Sequence, residues 1–219
     1  MNHNHIRALI RGSKTLLGPF PEFNTDNGGD CPYELFLEWF QSAIQNGIYE
    51  PHAMTLSTID CYGHPDARVL ILKDVDKEGW YFASSSKSEK GKQIHDNPSV
   101  SLTFYWPQIG RQIRIRGAAE MMDSEKNKED FLHRGITARA IALLDKQSSP
   151  LDDNQMLDHL LEDKLKWLKD NQQAIYPYWT VYRVRAKEVE FWQAHTDRKH
   201  VRLKFTRSND QWVKKQLWP

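Results

Sequence analysis

A series of short segments with β-type composition between residues 53 and 117 constrains the fold of this chain most strongly. Five of these segments are predicted to be strands: Met54–Thr58, Arg68–Leu72, Trp80–Ala83, Val100–Tyr105 and Gln112–Arg116. Turn residues such as Asp60, Gly63 and Pro65 separate the first two segments, and Asp76 to Gly79 precede the third. Closely spaced strands with such turns are typical of an antiparallel meander.

Helical patterns and a second group of strands complete the prediction. Four helices are expected: Pro32 to Asn46-Gly47, Ser88 to Asp96, Asp123-Ser124 to Gly135, and a last one that carries Leu157 to Leu168. Four more strands are expected near the C-terminus: Trp179–Arg185, Val189–Trp192, His200–Phe205 and Trp212–Leu217. Strands from both parts of the chain in one sheet favour a mainly β fold with α-helices (α+β), a small antiparallel barrel with helices at its rim.

The N-terminal residues 1–30 differ from the rest of the chain. They contain several Gly and Pro residues without a clear period, so they are predicted to form an irregular arm with at most one helical turn near Ile6–Ile10. Residues 31–219 are predicted to form a single domain, because no internal repeat or low-complexity stretch divides them.

Composition excludes several classes of partner. The 219 residues include 30 basic and 29 acidic side chains, a net charge of +1, whereas proteins that bind nucleic acid through phosphates usually carry an excess of Lys and Arg. Mean hydropathy is −0.71 and no apolar run approaches a membrane span. The N-terminus lacks the apolar core of a signal peptide, and Cys31 and Cys61 cannot form a disulfide framework. A cytoplasmic protein that binds neither nucleic acid nor membrane is expected.

Three short segments concentrate cationic side chains. The apolar strand Arg68-Val-Leu-Ile-Leu-Lys73 carries a charge at each end, and because the two positions differ by an odd number, alternation places them on opposite faces unless the strand bends. These charges are either solvated strand ends or ligand contacts. Residues Ser84–Gly91 place hydroxyls and lysines before a predicted helix start, which suits a phosphate group but equally suits a polar loop with an N-cap serine.

The third cationic segment contains Arg198, His200 and Arg202. Their spacing places all three on one face of an extended segment, where grouped charges favour an anionic ligand and disfavour a protonated histidine. A solvent-facing strand is the alternative. Trp192 lies just upstream, either in the core or as a wall for a planar ligand. Motifs for nucleophilic serine, zinc, disulfide exchange and dinucleotide binding are absent, and no metal site is expected.

Considered together, these segments resemble the pyridoxamine 5′-phosphate oxidase family from about residue 30 to the C-terminus. The resemblance rests on nine motifs in the family's order: Met54–Thr58, Arg68–Lys73, Ser88–Gly91, Asn97-Pro98, Tyr105–Pro107, Gly110–Arg114, Lys146–Ser149, Glu190–Gln193 and Arg198–Arg202. It implies a split β-barrel homodimer with FMN at the subunit interface, a helical insertion over residues 118–170, and dimerisation and substrate strands over residues 176–219.

The resemblance also implies the site residues. Its FMN contacts correspond to Arg68, Val69, Leu70, Ile71, Leu72, Lys73, Ala83, Ser84, Lys90, Gln112, Gln147, Ser148, Trp192 and Arg202. Lys73 and Arg134 would bind the substrate phosphate, while Arg198 and His200 would act beside the carbon that loses hydride. The implied reaction oxidises pyridoxamine or pyridoxine 5′-phosphate to pyridoxal 5′-phosphate, with O2 as acceptor and H2O2 as product.

Two departures from the family pattern affect the substrate. Asp130 and Ala138 replace a Tyr and a Ser that hold the substrate phosphate in the family, and a carboxylate repels a phosphate dianion. Two alternatives follow: an FMN oxidase acting on another substrate, as in phenazine-biosynthesis oxidases, or a flavin- or haem-binding split-barrel protein without oxidase turnover. The Arg198, His200 and Arg202 set argues against the latter.

Overall fold

A computed structural model describes residues 2–26 and 29–219. Within them the helices are α1 His3–Arg11, α2 Pro32–Gln45, α3 Glu89–Asp96, α4 Ser124–His133, α5 Ile136–Leu143 and α6 Asn154–Asp170. The strands are β1 Ala53–Ile59, β2 Pro65–Ile71, β3 Asp74–Asp76, β4 Gly79–Ser85, β5 Ser99–Trp106, β6 Arg111–Met121, β7 Trp179–Gln193, β8 Val201–Ser208 and β9 Gln211–Leu217. No helix in these two ranges combines the length and apolarity needed to cross a bilayer.

The strands form one antiparallel sheet built around β7. The order is β2-β1-β5-β6-β7-β4-β3, with β8 paired to β7 and β9 paired to β8. The first part of β7 pairs with β4, from Trp179 to Val184, and its last part pairs with β8, from Glu188 to Gln193. Strand β6 lies along its other side. Because β7 is long enough to serve both neighbours, it connects the barrel to the C-terminal strands.

A two-residue link closes the sheet into a barrel. Strand β2 lies at one end of the sheet order and β3 at the other, yet only Leu72 and Lys73 separate them in the chain. The Leu72 amide donates to the carbonyl oxygen of His52 at 2.9 Å, and the Lys73 amide donates to that of Tyr81 at 2.8 Å. The first bond extends the pairing of β2 with β1 and the second that of β3 with β4, so both backbone amides of the link are satisfied.

Helix α2 fills one end of the barrel with aromatic side chains. Phe36 and Trp39 are fully buried. The Phe36 ring packs edge-on against Trp80 and Phe104, with ring centres 5.7 and 5.2 Å apart, and Trp39 packs in the same way against Phe191 at 5.2 Å. The predicted helix from Pro32 is thus confirmed, and its apolar face forms the core.

Two short elements and a longer N-terminal helix were not predicted. Helix α1 spans nine residues rather than one turn, although all of its residues are exposed. Helix α5 begins directly after Gly135, where the sequence predicted that helical structure ends. Strand β3 has only three residues, too few to show a period.

The C-terminal region also differs from prediction. The two strands expected at Trp179–Arg185 and Val189–Trp192 are one continuous strand, β7. A bulge at Lys187 breaks the alternation of side chains, because Gly117 pairs with Ala186 while Arg116 pairs with Glu188. Residues 118–121, expected at the start of the helical insertion, belong to β6 because they continue its pairing with β7.

Candidate active site

A cavity of about 770 Å³ lies between the barrel and the helices that follow β6. Its barrel wall includes Val69–Ile71 and Lys73 from the end of β2 and the closure, together with Ala83 and Ser84 from β4. Its opposite wall includes Arg134 and Gln147 among apolar side chains of α5 and α6. Eight predicted site residues therefore line one cavity, although they are scattered over about 80 positions of the chain.

Lys90 and Arg68 form a cationic pair near this cavity. Lys90 is 8% exposed, and its Nζ lies 3.4 Å from the Ser88 hydroxyl. Burial lowers the pKa of Lys90, and the positive charge of Arg68 lowers it further. Arg68 is ion-paired with Asp66 and donates to Thr58, and the Asp66 charge partly offsets the effect of Arg68 on Lys90. Lys90 itself forms no ion pair among the described residues, so an anion beside it would compensate its charge.

The loop before α3 presses tightly against that helix. Ser88 caps α3 by accepting from the Gly91 amide at 3.3 Å. A Cβ at Gly91 would lie 2.4 Å from the Ser86 carbonyl oxygen, so only glycine allows this approach. The Ser84 hydroxyl, the first amides of α3 and the Lys90 ammonium are groups that would suit a phosphate such as that of FMN. The hydroxyls of Ser85, Ser86 and Ser88 are hydrogen-bonded within the protein.

Lys73 is already engaged by a carboxylate. Its Nζ lies 3.2 Å from Asp130 Oδ1, while Asp130 Oδ2 accepts from the indole of Trp179 at 2.8 Å. The Arg134 guanidinium stacks on the same indole, 3.8 Å from the ring centre, and donates to the Ala138 carbonyl oxygen at 3.2 Å. Burial lowers the pKa of Arg134, and the charge of Asp130 counteracts this in part. Asp130 thus acts on both cations that are predicted to bind phosphate. It forms an ion pair with Lys73, and its charge acts on Arg134.

The loop carrying Gln147 and Ser148 is anchored by residues that sequence reasoning missed. Lys87 Nζ lies 2.6 Å from the Asp145 carboxylate, which also accepts from the Tyr176 hydroxyl. These two hydrogen bonds lower the pKa of Asp145. Asp145 and Ser148 have left-handed φ values of 55° and 69°. These contacts could not be predicted from the sequence, because they join three segments that are distant in the chain and depend on how the loop is folded.

The remaining predicted residues lie at the far end of β7. Gln112 pairs with Trp192 in the β6–β7 register, and the Trp192 ring lies 4.7 Å from that of His200. Arg202 forms an ion pair with Glu190 at 2.8 Å. Glu190 occurs within a predicted motif, but its pairing role was not predicted. These residues form a second group, separate from the cavity walls.

Arg198 and His200 do not follow the predicted extended face. Strand β8 begins only at Val201, and Arg198 lies in a tight turn with a left-handed φ of 60°. The two side chains therefore cannot be placed by strand alternation. His200 Nδ1 accepts from the His195 amide at 3.1 Å, which requires the unprotonated nitrogen. Burial, then the charges of Arg198 and His195, lower the pKa of His200, as the sequence predicted for a histidine among cations.

One chain holds these two groups far apart. Ser84 pairs with Thr180 at the start of β7, and Trp192 follows Thr180 by 12 residues. A strand rises about 3.3 Å per residue, so the path along β7 is about 40 Å. The residues that line the cavity, the cavity group, therefore lie near one end of β7. The second group lies near the other end, and we call it the Trp192 group: Gln112, Trp192, Arg198, His200 and Arg202.

Comparison with known proteins agrees with this architecture. The family model described as pyridoxamine 5′-phosphate oxidase matches residues 40–193. The model described as the pyridoxine 5′-phosphate oxidase C-terminal dimerisation region matches residues 179–219.

Individual relatives cover nearly the whole chain. The pyridoxine/pyridoxamine 5′-phosphate oxidase of Leptospira interrogans is 33% identical over 96% of this chain and 97% of its own, and that of Pseudomonas paraeruginosa is 33% identical over 88% and 91%. A solved structure of PhzG from Burkholderia lata, in complex with tetrahydrophenazine-1-carboxylic acid, is 28% identical with a TM-score of 0.86 over 92% of this chain and 100% of that one. The chain belongs to the pyridoxamine 5′-phosphate oxidase family of FMN-dependent oxidoreductases.

Proposed function

We propose that this chain is a cytoplasmic, homodimeric FMN oxidase that removes a hydride from a small ring substrate and passes the electrons to O2, forming H2O2. The observation that carries this proposal is the buried Lys90 beside Arg68, because Lys90 forms no ion pair among the described residues. Such a cation suits the FMN phosphate, and Val69, which follows Arg68, lines a cavity large enough for a ring system.

The residues of each group have distinct roles in this proposal. Lys90, Arg68 and Ser84 hold the phosphate, while the backbone and side chains of Val69–Lys73, Ala83, Gln147 and Ser148 hold the rest of the cofactor. Bound FMN supplies the hydride acceptor and the reaction with oxygen. Arg198 and His200 orient the substrate, and His200 does so as a neutral imidazole at pH 7 because its pKa lies below the ordinary value.

A second subunit supplies the Trp192 group in this proposal. Gln112, Trp192, Arg198, His200 and Arg202 lie about 40 Å along β7 from the cavity group, a path too long for both groups to enclose one flavin in a single chain. The match of residues 179–219 to a dimerisation region supports a homodimer. In a two-fold dimer each cavity receives the turn of the other subunit.

Pyridoxamine or pyridoxine 5′-phosphate is the first candidate substrate. The curated relatives carry that substrate in their names at 33% identity over most of the chain. Lys73 and Arg134 face the cavity and would receive the substrate phosphate.

A substrate of the phenazine-carboxylate type is the second candidate. The Lys73–Asp130 ion pair favours it, because the pair reduces the positive charge available to a phosphate. The likeness to PhzG, solved with tetrahydrophenazine-1-carboxylic acid, supports the same class.

The test is anaerobic reduction of the bound flavin. The purified protein should be yellow, and its visible absorbance should bleach on addition of pyridoxine 5′-phosphate or of a dihydrophenazine carboxylate, then return with oxygen and release H2O2. Bleaching by only one compound identifies the substrate class. A protein that binds no FMN, or whose FMN stays oxidised with both compounds, would contradict the proposal and favour a binding protein without turnover.

A further inference from the structure

Asp130 occupies an unusual position behind the substrate end of the cavity. It lies on α4, and its carboxylate bridges the Lys73 ammonium, at 3.2 Å, and the Trp179 indole, at 2.8 Å. Its side chain is 18% exposed and that of Lys73 is 32% exposed, so the pair is partly shielded from solvent. Lys73 lines the cavity, whereas Asp130 lies outside the lining and forms its ion pair with Lys73 from helix α4.

Arg134, the second cation that lines this part of the cavity, is also held by contacts within the protein. Arg134 stacks on Trp179, donates to the Ala138 carbonyl oxygen, and its buried Nε finds no hydrogen-bond partner among the residues that the structure describes. Trp179 therefore contacts both residues: its indole nitrogen donates to Asp130, and its ring stacks on the Arg134 guanidinium. This part of the cavity presents two cations and one carboxylate, a net charge of +1.

Charge determines what such a site selects. The repulsion between Asp130 and a ligand grows in proportion to the ligand's charge, whereas the cost of removing the ligand from water grows more steeply. A site of net charge +1 compensates a single negative charge but leaves a dianion partly uncompensated. The planar fork of the stacked Arg134 matches carboxylate and phosphate alike, so the net charge of the site, rather than the geometry of Arg134, favours a singly charged group.

We propose that Asp130 is a specificity-determining residue, and that it selects a ring substrate carrying a single carboxylate over one carrying a phosphate dianion. This inference rests on the proposed function in one respect, namely that Lys73 and Arg134 receive the anionic group of the substrate. Asp130 acts through Lys73 and does not itself contact the reacting atoms.

A series of ligands that differ only in charge tests this role. The probes are 4′-deoxypyridoxine, its 5′-sulfate and its 5′-phosphate, with side-chain charges of about 0, −1 and −2 at pH 8. All three lack the oxidisable group, so calorimetry on the FMN-loaded protein measures binding alone. The wild type is expected to bind the sulfate at least as tightly as the phosphate.

The variant Asp130→Asn removes the charge and keeps an acceptor for the Trp179 indole. We expect it to tighten binding of the sulfate about threefold and of the phosphate about tenfold, with uncharged 4′-deoxypyridoxine unchanged, because the contribution of a partly exposed charge contact is modest and grows with the charge of the ligand. Asp130→Glu should restore the wild-type order. A merely structural role would change all three affinities equally.

The matched control is Glu162→Gln, which removes a carboxylate from the exposed Glu162–Lys166 pair on α6 and should leave all three affinities unchanged. The proposal is overturned if Asp130→Asn has no effect or an effect independent of charge, or if the wild type binds the phosphate tenfold more tightly than the sulfate. Failure of the proposed function would show separately, as an absence of bound FMN or of flavin reduction, since calorimetry does not depend on turnover.

Discussion

At the scale of single residues, the turn that carries Arg198 combines backbone strain with an unprotonated histidine. A non-glycine residue with a φ of 60° persists only where surrounding contacts stabilise it, and such residues are frequent at functional sites. The His195 amide that donates to His200 Nδ1 provides one such contact. Protonation of His200 would remove this acceptor, so the charge state of the ring and the shape of the turn are coupled.

We predict that Arg198→Ala raises the pKa of His200 but does not return it to the ordinary value of about 6.5, because burial, the larger cause, remains. Histidine ring signals followed by NMR between pH 4.5 and 8 measure this midpoint. The variant should retain FMN and reduce it more slowly. A midpoint that falls, or loss of the flavin, would show that Arg198 has another role.

At the scale of elements, the loop from Asp145 to Ser149 depends on a clamp made by the segment that follows β4 and the segment before β7. Lys87 and Tyr176 both bind the Asp145 carboxylate, and Ser85 lies 3.1 Å from the Tyr176 hydroxyl. Two residues of the loop adopt left-handed backbone conformations that cost energy without such support. The clamp therefore orders Gln147 and Ser148 at the cavity.

We predict that Asp145→Asn weakens FMN binding severalfold, since the loop loses its ion pair with Lys87 and the carboxylate that accepts from Tyr176, and solvent screens a pair this exposed. Quenching of FMN fluorescence on titration with apoprotein measures the dissociation constant. Glu162→Gln, which breaks the exposed Glu162–Lys166 pair on α6, is the control and should bind FMN like the wild type. Equal affinity in the two variants would rule out the clamp.

Most elements could be predicted from the sequence because their apolar periods are regular, as in α2 and β1. Strand β7 could not be recognised as continuous, because the bulge at Lys187 reverses the alternation that defines a strand. Helix α5 was hidden by Gly135, which serves here as the residue before a helix rather than after one. In the site, the cationic segments were visible, but the Asp145 contacts with Lys87 and Tyr176 depend on tertiary structure alone.

At the scale of the whole molecule, the two groups of site residues make the assembly testable by mixing subunits. Lys90→Met disables the proposed phosphate site, and Arg198→Ala disables the turn, so each variant alone should have little oxidase activity. In a mixed dimer, one cavity receives both altered groups and the other receives both intact ones.

Random exchange of the two variants should therefore restore about a quarter of the wild-type activity, since half of the dimers are mixed and one site in each is intact. Activity after joint refolding, with the dimer fraction measured by light scattering, is the readout. Mixing without refolding is the control. No recovery from a confirmed mixed dimer would place both groups of one active site on the same subunit.

The link that closes the barrel also limits how the chain can change in length. Surface loops tolerate insertions because their backbone is solvated, but the Leu72 amide extends the pairing of β2 with β1 and the Lys73 amide extends that of β3 with β4. One added residue would turn Lys73 to the other side of the backbone or shift β3 against β4. Stability and substrate charge recognition would thus be lost together, so this two-residue connection is constrained in length as well as in the Lys73 side chain.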